Sequence, residues 1–312
     1  MDTPLALPDG FSARPCVTAD IDAVWQMVAA CEQADAGEVG IEREDIESEW
    51  ARPSFDAATD TIGLFEDGSG MPVAQGELTY STRADACVHP DWRARGLGTW
   101  LIDWTERHAR ERGAERIGQT VVDTATDAIE LFERRGYTPL WTSWILRIEF
   151  ADGPPPAPTV PPGFAVRDFR PGVDDAAVAG VIDRAFLEWS DREPESTEDW
   201  AAKTVNRPGF EPWHLPVLVA TGGEIVGAAF LIDSDGFRDG WVQQLAVARE
   251  HRGLGCGRAL LEEAFGRFYS RGRRQCELNT DSRTGALGLY EHVGMSVRLS
   301  YTHRALRFNS NA

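Results

Sequence analysis

The strongest constraint on this sequence is that it is written twice. Gly10-Phe-Ser-Ala-Arg14 is matched by Gly163-Phe-Ala-Val-Arg167 at an offset of 153 residues. Arg93-Ala-Arg-Gly-Leu-Gly98 is matched by Arg252-Gly-Leu-Gly-Cys-Gly257 at an offset of 159, and Leu131-Phe-Glu133 by Leu289-Tyr-Glu291 at 158. Gly136-Tyr137 has its counterpart in Gly294-Met295. Anchors that keep one order while their offsets drift by a few residues point to duplication. The drift of six between the first two anchors puts the extra residues of the second copy around Asp233–Gly240, a turn-rich stretch between two strand-like runs.

Six prolines crowd the twelve residues 151–162 and exclude a helix or a central strand there. The segment reads as a semi-rigid spacer. The expected organisation is a first domain over residues 1–150, a linker over 151–162 and a second domain over 163–312. Each is long enough to bury its own core. In the second copy, Ala176–Trp189 has helical periodicity, and Val217–Thr221 and Ile225–Ile232 read as strands joined by Gly222-Gly223. Trp241–Val247 is a strand, Gly257–Tyr269 a helix, Arg274–Asn279 a strand, Thr284–His292 a helix and Val297–Leu306 a last strand. The first copy follows the same order, with Asp85–Val88 as the strand before its glycine turn and Thr99–Arg112 as the helix after it. Trp141 and Trp144 alternate with polar neighbours and are expected to face the core of the first half.

The chemistry sits in a strand, a glycine-rich turn and a helix. The second copy has Leu245-Ala-Val247, then Arg252–Gly257, then Arg258-Ala-Leu-Leu261; the first has Cys87-Val88, Arg93–Gly98 and Thr99-Trp-Leu-Ile102. Glycines let a backbone approach an anion closely, and a helix N-terminus turns its unpaired N–H groups and positive dipole end toward it. A basic residue at the start of the turn adds attraction. The expected ligand is a phosphate or pyrophosphate. The spacing Arg-x-x-Gly-x-Gly is neither the dinucleotide nor the P-loop pattern.

Two such turns, each preceding a Leu-Phe/Tyr-Glu element by a matching interval, give the chain its resemblance over nearly its whole length. It resembles a tandem acetyltransferase of the GNAT superfamily, within it the two-domain actinobacterial proteins that include mycothiol synthase. The resemblance implies an α/β (α+β) fold of two tandem domains, each a mixed, mostly antiparallel sheet flanked by helices. It implies an N-acetyltransferase that binds acetyl-CoA as co-substrate, with a small-molecule amine as acceptor. The second turn, Arg252, Gly253, Leu254, Gly255, Cys256, Gly257 and Arg258, would hold the pyrophosphate. The backbone of Leu245, Ala246 and Val247 would hold the pantetheine arm. Cys87, Val88, Arg93, Gly96 and Gly98 form a candidate second cofactor site. Tyr290 would protonate the departing thiolate. Phe132 in the matching position has no proton to give, so the second domain is the candidate catalytic one and the first a degenerate copy.

Several residues depart from that pattern. Arg283 and Ala125 stand where relatives carry Asn, seven residues before the Tyr/Phe position. Gln243 and Gln244 stand where relatives place a general-base Glu, and glutamine cannot act as a base at neutral pH. Glu188, Asp191, Glu193, Glu195, Glu198 and Asp199 are candidates for an acidic acceptor cleft, and Trp189, Trp200, Trp213 and Trp241 for an aromatic wall. Cys256 lies in the turn, but direct attack on a thioester needs no enzyme nucleophile. A CoA-binding protein without turnover is the alternative reading.

Composition excludes other classes. A net charge of −19 opposes nucleic-acid binding, which needs clustered cations. The five scattered cysteines include no CxxC pair, so neither a zinc site nor a disulfide framework is expected, and His89, His251 and His292 show no ligand spacing. No apolar run reaches about 18 residues, and Met1–Gly10 lacks the features of a secretory signal. The expected location is the cytoplasm. The sequence leaves the oligomeric state and the identity of the amine open.

Overall fold

Both copies open on a short strand tied to the following helix by one ion pair. Arg14 Nη1 meets Asp20 Oδ2 at 2.7 Å, and Arg167 Nη1 meets Asp174 Oδ2 at 2.6 Å. Each carboxylate also accepts a backbone N–H, from Val17 and from Arg170, at 2.8 Å. Burial opposes the charge on Asp174, yet the Arg167 and Arg170 hydrogen bonds hold it well below the usual carboxylate range.

The computed structural model describes residues 6–151, 153–188, 193–233 and 240–308. The first half holds β1 (Phe11–Arg14), α1 (Ile21–Ala36), α2 (Arg43–Trp50), α3 (Ala57–Asp60), β2 (Thr61–Glu66), β3 (Pro72–Thr79), β4 (Arg83–Val88), α4 (Leu97–Glu111), β5 (Arg116–Val122), α5 (Thr126–Arg134) and β6 (Thr138–Glu149). The second holds β7 (Phe164–Arg167), α6 (Asp175–Phe186), α7 (Thr197–Lys203), β8 (Val217–Ala220), β9 (Ile225–Ile232), β10 (Gly240–Val247), α8 (Cys256–Ser270), β11 (Gln275–Asp281), α9 (Leu287–His292) and β12 (Ser296–Arg307). The helix expected over Ala176–Trp189 ends at Phe186, and Trp189 lies outside the described residues. So do residues 234–239, where most of the insertion in the second copy is expected.

The chain forms two compact units, residues 1–142 with 300–312, and residues 143–299. In the first unit the strand order is β1, β2, β3, β4, β5, then β12. Its neighbours pair antiparallel except β4 and β5, which run parallel. In the second unit the order is β7, β8, β9, β10, β11, then β6, again with one parallel pair, β10 and β11. Each sheet therefore takes its sixth strand from the other half of the sequence: Tyr301–Arg307 pair with β5, and Ser143–Glu149 pair with β11. This corrects the placement of Trp144. It lies opposite Thr280 and packs against the core of the second unit, while Trp141 stacks on His303 at 3.8 Å in the first. Alternation marks a strand and its faces but not the sheet that receives it.

The proline-rich segment 151–162 belongs to the second unit. The Thr159 N–H donates to Glu262 Oε2 at 2.8 Å, and Val160 packs on the core beneath α8. That core contains Leu260, Leu261, Phe265 and Phe268 of α8 with Leu231, Val242 and Leu278 of the sheet. Trp200, Val178, Ile182 and Phe230 fill a second cluster, built from α6, α7 and the sheet. Backbone and ring meet closely: a Cβ at Gly240 would collide with the Phe268 ring.

Candidate functional site

In the second unit the parallel register of β10 with β11 covers Gly240, Trp241 and Val242. Beyond Val242 the register between the two strands ends, and the edge of Gln243–Val247 opens. The β9–β10 ladder shifts between Val242 and Gln244, so Gln243 is the extra residue of a bulge. A bulge bends its strand and re-aims side chains, and bulges recur beside active sites. Trp241 Nε1 donates to Gln243 Oε1 at 2.5 Å across it. Gln244 Oε1 is buried without a hydrogen-bond partner among the described residues.

β10 leads to the glycine turn. Gly253 (φ +73°) and Gly255 (φ +89°) adopt left-handed backbone that side chains resist. Gly255 caps α8, whose first N–H groups have no partner within the helix. Leu254 is exposed at the tip, and Cys256 is buried, its thiol pushed up by desolvation. That environment disfavours a thiolate.

The two arginines of this turn are engaged elsewhere. Arg252 Nε donates to the Val247 carbonyl at 2.9 Å, and its Nη1 donates to Glu188 Oε2 at 2.8 Å. It braces the end of β10 against the residues after α6. Arg258 Nε donates to Glu262 at 2.7 Å. The turn thus presents mainly backbone N–H groups and the helix dipole to an anion.

Tyr290, on α9, is 7% exposed. Burial pushes its phenol up to about 12, with the Thr280 hydroxyl pulling the other way. Leu289, one residue before it, would lie 3.4 Å from a Cβ at Gly257, so the turn and α9 are in direct contact. Arg283 is folded back on Asp281, with Nη2 to Oδ2 at 2.7 Å.

The first unit repeats the bracing. Arg93 Nε donates to the Val88 carbonyl at 3.1 Å, and its two terminal nitrogens meet Asp35 at 2.7 and 2.8 Å. Gly96 caps α4 at φ +86°, and a Cβ at Gly98 would meet Leu131 at 3.3 Å. Ala94 holds the left-handed conformation (φ +59°) that Gly253 holds in the second turn, at a cost of about 1 kcal/mol. The strands behind the turn differ. The β3–β4 register runs unbroken from Ala74↔Val88 to Thr79↔Arg83. β4 and β5 are in register only at Arg83↔Gly118, and above that point Gln119 Nε2 donates to the Ala86 carbonyl at 2.7 Å. The bridge spans the gap between the strands on the Cys87-Val88 side. Phe132 is buried edge-on to Tyr137 at 4.8 Å.

The expected acidic cleft and aromatic wall are mostly not assembled. Glu188 pairs with Arg252, and Glu195 pairs with Lys203. Asp199 is buried in the first turn of α7, its N–H accepted by Ser196 Oγ at 3.0 Å. Glu193 and Glu198 are exposed, and Asp191 lies outside the described residues. Trp200 is a core residue, and Trp213 lies beneath the Arg271 guanidinium with its carbonyl bonded to Arg267 of α8. Among the described residues of that set, Trp241 is the one that adjoins the bulge, and Trp189 lies outside the described residues. Sequence reasoning missed the bulge, the Asp35 and Glu188 braces and Gln119. A polar Gln119 between apolar Ile117 and Val121 on one strand face was the available signal.

Among the described residues no group of three or more His, Cys, Asp or Glu could hold a metal, and no helix is long and apolar enough to cross a membrane. A duplicated strand, turn and helix with an open strand edge behind the turn defines a class, and comparison with known proteins agrees. The chain belongs to the acetyltransferase (GNAT) family, whose profile matches residues 27–137 and 181–295. It is an N-acetyltransferase of tandem domain organisation. A protein named mycothiol acetyltransferase from Catenulispora acidiphila is 30% identical over 224 residues, 69% of each chain. One of the same name from Geodermatophilus obscurus is 28% identical over 291 residues, covering 89% of this chain and 91% of its own. A crystal structure of a GCN5-related N-acetyltransferase from Sphaerobacter thermophilus superimposes with a TM-score of 0.75 at 32% identity, over 98% of both chains.

Proposed function

We propose that the second unit transfers an acetyl group from acetyl-CoA to a primary amine of a small molecule, by direct attack within a ternary complex. The observation that carries this reading is the contrast between the two units. Behind the second turn stand a bulged, open strand and Tyr290. Behind the first stand an unbroken ladder, the Gln119 bridge and Phe132.

In this reading the backbone N–H groups of Gly253, Gly255 and Gly257 and the start of α8 bind the pyrophosphate. The open edge of Leu245, Ala246 and Val247 binds the pantetheine arm and polarises the thioester carbonyl. Arg252 acts through position, holding the turn to β10. The amine nitrogen forms a bond to the carbonyl carbon and loses a proton to water, the C–S bond breaks as the tetrahedral intermediate collapses, and CoA leaves as a thiolate that is protonated in solvent. Tyr290 donates a hydrogen bond to the departing sulfur. A thiolate whose conjugate thiol has a pKa of about 8.5 is too weak a base to take the proton outright from a phenol pushed up to about 12; transfer is uphill by roughly 5 kcal/mol at 1.36 kcal/mol per unit. Hydrogen-bond donation is the contribution the site supports.

With Gln243 and Gln244 on the bulge, the amine must reach the site neutral, its proton having gone to water. Gln244 Oε1 is a free acceptor for an amine N–H. The relatives' name, mycothiol acetyltransferase, supports an acceptor of small-molecule size. The first unit retains its turn and can hold a pyrophosphate, with Gln119 competing for the strand edge. The test is release of free CoA thiol from acetyl-CoA across a panel of small amines, with Gly255→Glu as the control. Turnover lost in the variant supports the reading. Cofactor binding with no turnover on any amine supports a CoA-binding protein without catalysis instead.

A further inference from the structure

We propose that Cys31 and Cys87, in the first unit, are a dithiol site that closes to a disulfide when a hydroperoxide reaches it. Cys31 lies in α1 with its Sγ 3.2 Å from the Val88 carbonyl, which puts it over the end of β4. Cys87 is the residue before Val88 and is half-buried, Cys31 is buried, and α1 packs on β4, so that each thiol perturbs the titration of the other. The same Val88 carbonyl accepts Arg93 Nε at 3.1 Å, so the guanidinium lies beside the pair. The Cys87 thiol and the charge of Arg93 draw the Cys31 thiol down, against its burial and the Asp35 carboxylate; Cys87 moves up. Burial pushes Cys16 up to about 11, and Cys256 is also raised. The second unit has Ala246 at the position matching Cys87, so the pair is not part of the shared scaffold.

A thiol drawn toward its thiolate by a guanidinium, next to a second thiol, is the arrangement that oxidises to a disulfide rather than to a dead-end acid. The Cys31 thiolate attacks one peroxide oxygen, the O–O bond breaks, and the sulfenic acid and one water form. The Cys87 sulfur then attacks the Cys31 sulfur and releases the second water. Two thiols lose two electrons and two protons in all, and the hydroperoxide is reduced.

The whole protein is treated with hydrogen peroxide, digested without reductant and mapped by mass spectrometry. The expected result is one cross-linked peptide pair carrying Cys31 and Cys87, two hydrogen atoms lighter than the separate peptides. Titratable thiols of the denatured protein fall from five to three, that is 5 − 2, and dithiothreitol restores them. Cys31→Ser and Cys87→Ser each abolish the loss, while Cys16→Ala keeps it. The proposal is overturned if both residues stay alkylatable, or if either becomes a sulfinic acid without a cross-link. The wild-type map decides this even if a variant does not fold.

Discussion

Replacing Tyr290 by Phe removes one oxygen and nothing else. The side chain is 7% exposed in the core beneath α8, and its ring packing is retained in the variant. The melting temperature is therefore expected to move little. If the phenol donates to a developing thiolate, its loss forfeits a hydrogen bond to a charged group, about 1.5–3 kcal/mol. That is a fall in kcat of roughly 10- to 150-fold. Full proton transfer by a well-matched acid would be worth roughly 10²–10⁴-fold, so a loss beyond about 150-fold would exceed the hydrogen-bond role. Acetyl-CoA affinity is expected to stay the same, because the interaction forms as the C–S bond breaks. The assay is initial-rate release of CoA thiol at saturating acetyl-CoA, with affinity measured separately by calorimetry. A variant with wild-type kcat, or one whose acetyl-CoA affinity falls as far as its rate, would refute the reasoning. The phenol also fixes the alkaline behaviour. Its folded pKa, about 12, lies above the unfolded value near 10. Its contribution to stability is complete below about pH 10 and is lost as pH rises toward 12, so no alkaline fall in rate below about pH 10 should come from Tyr290.

Gly255→Glu places a carboxylate at the left-handed cap of α8, and calorimetry is expected to lose a site for acetyl-CoA; an unchanged isotherm would remove the pyrophosphate from that turn. Gln119→Leu frees the Ala86 carbonyl at a saving of about 1 kcal/mol, so acetyl-CoA binding to the first unit should tighten roughly five-fold in the Gly255→Glu background, and no change would dismiss the bridge as a competitor. Asp174→Asn breaks the Arg167 pair. Because Arg167 and Arg170 are 29% and 59% exposed, the loss should be nearer 2 kcal/mol than the 3–5 of a fully buried pair. The native Asp174 stabilises above its unfolded pKa of about 3.9 and loses that contribution as pH falls through the lower folded value. The difference in denaturation midpoint between wild type and variant should therefore shrink below about pH 4. Gly240→Ala forces a Cβ into the Phe268 ring and should cost about 1–3 kcal/mol, read in urea.

Much of the fold was legible because it rests on local rules. The two turns need glycine where φ is positive, at Gly96, Gly253 and Gly255, and α8 carries an apolar face from Leu260 to Phe268. Helix α7 was missed although Ser196-Thr-Glu-Asp199 has the pattern of a capped first turn; seven residues give too little periodicity to register. The glycine turn is visible in the sequence as a motif, whereas the pairing of its charges is not. Arg252 looks from sequence like a phosphate ligand, but its carboxylate partner Glu188 is 64 residues away, and nothing local announces the pair. The same holds for Trp200 and Trp213, whose aromatic surface suits a cleft as well as a core. The bulge at Gln243 depends on the register of β9 against β10, which alternation alone does not fix.

The traded strands bear on how the chain is made. The first unit's sheet is finished by Tyr301–Arg307, which follow every strand of the second unit's sheet in the chain and are made after all of them. Until they arrive, β5 has an unpaired edge of the kind that invites wrong partners. The usual course, in which an N-terminal domain folds while the rest is still being synthesised, is closed to this one. The second unit, which takes its border strand from Ser143–Glu149, can complete its sheet first. Cutting the gene at the proline-rich segment would yield two fragments, each carrying a strand that belongs to the other.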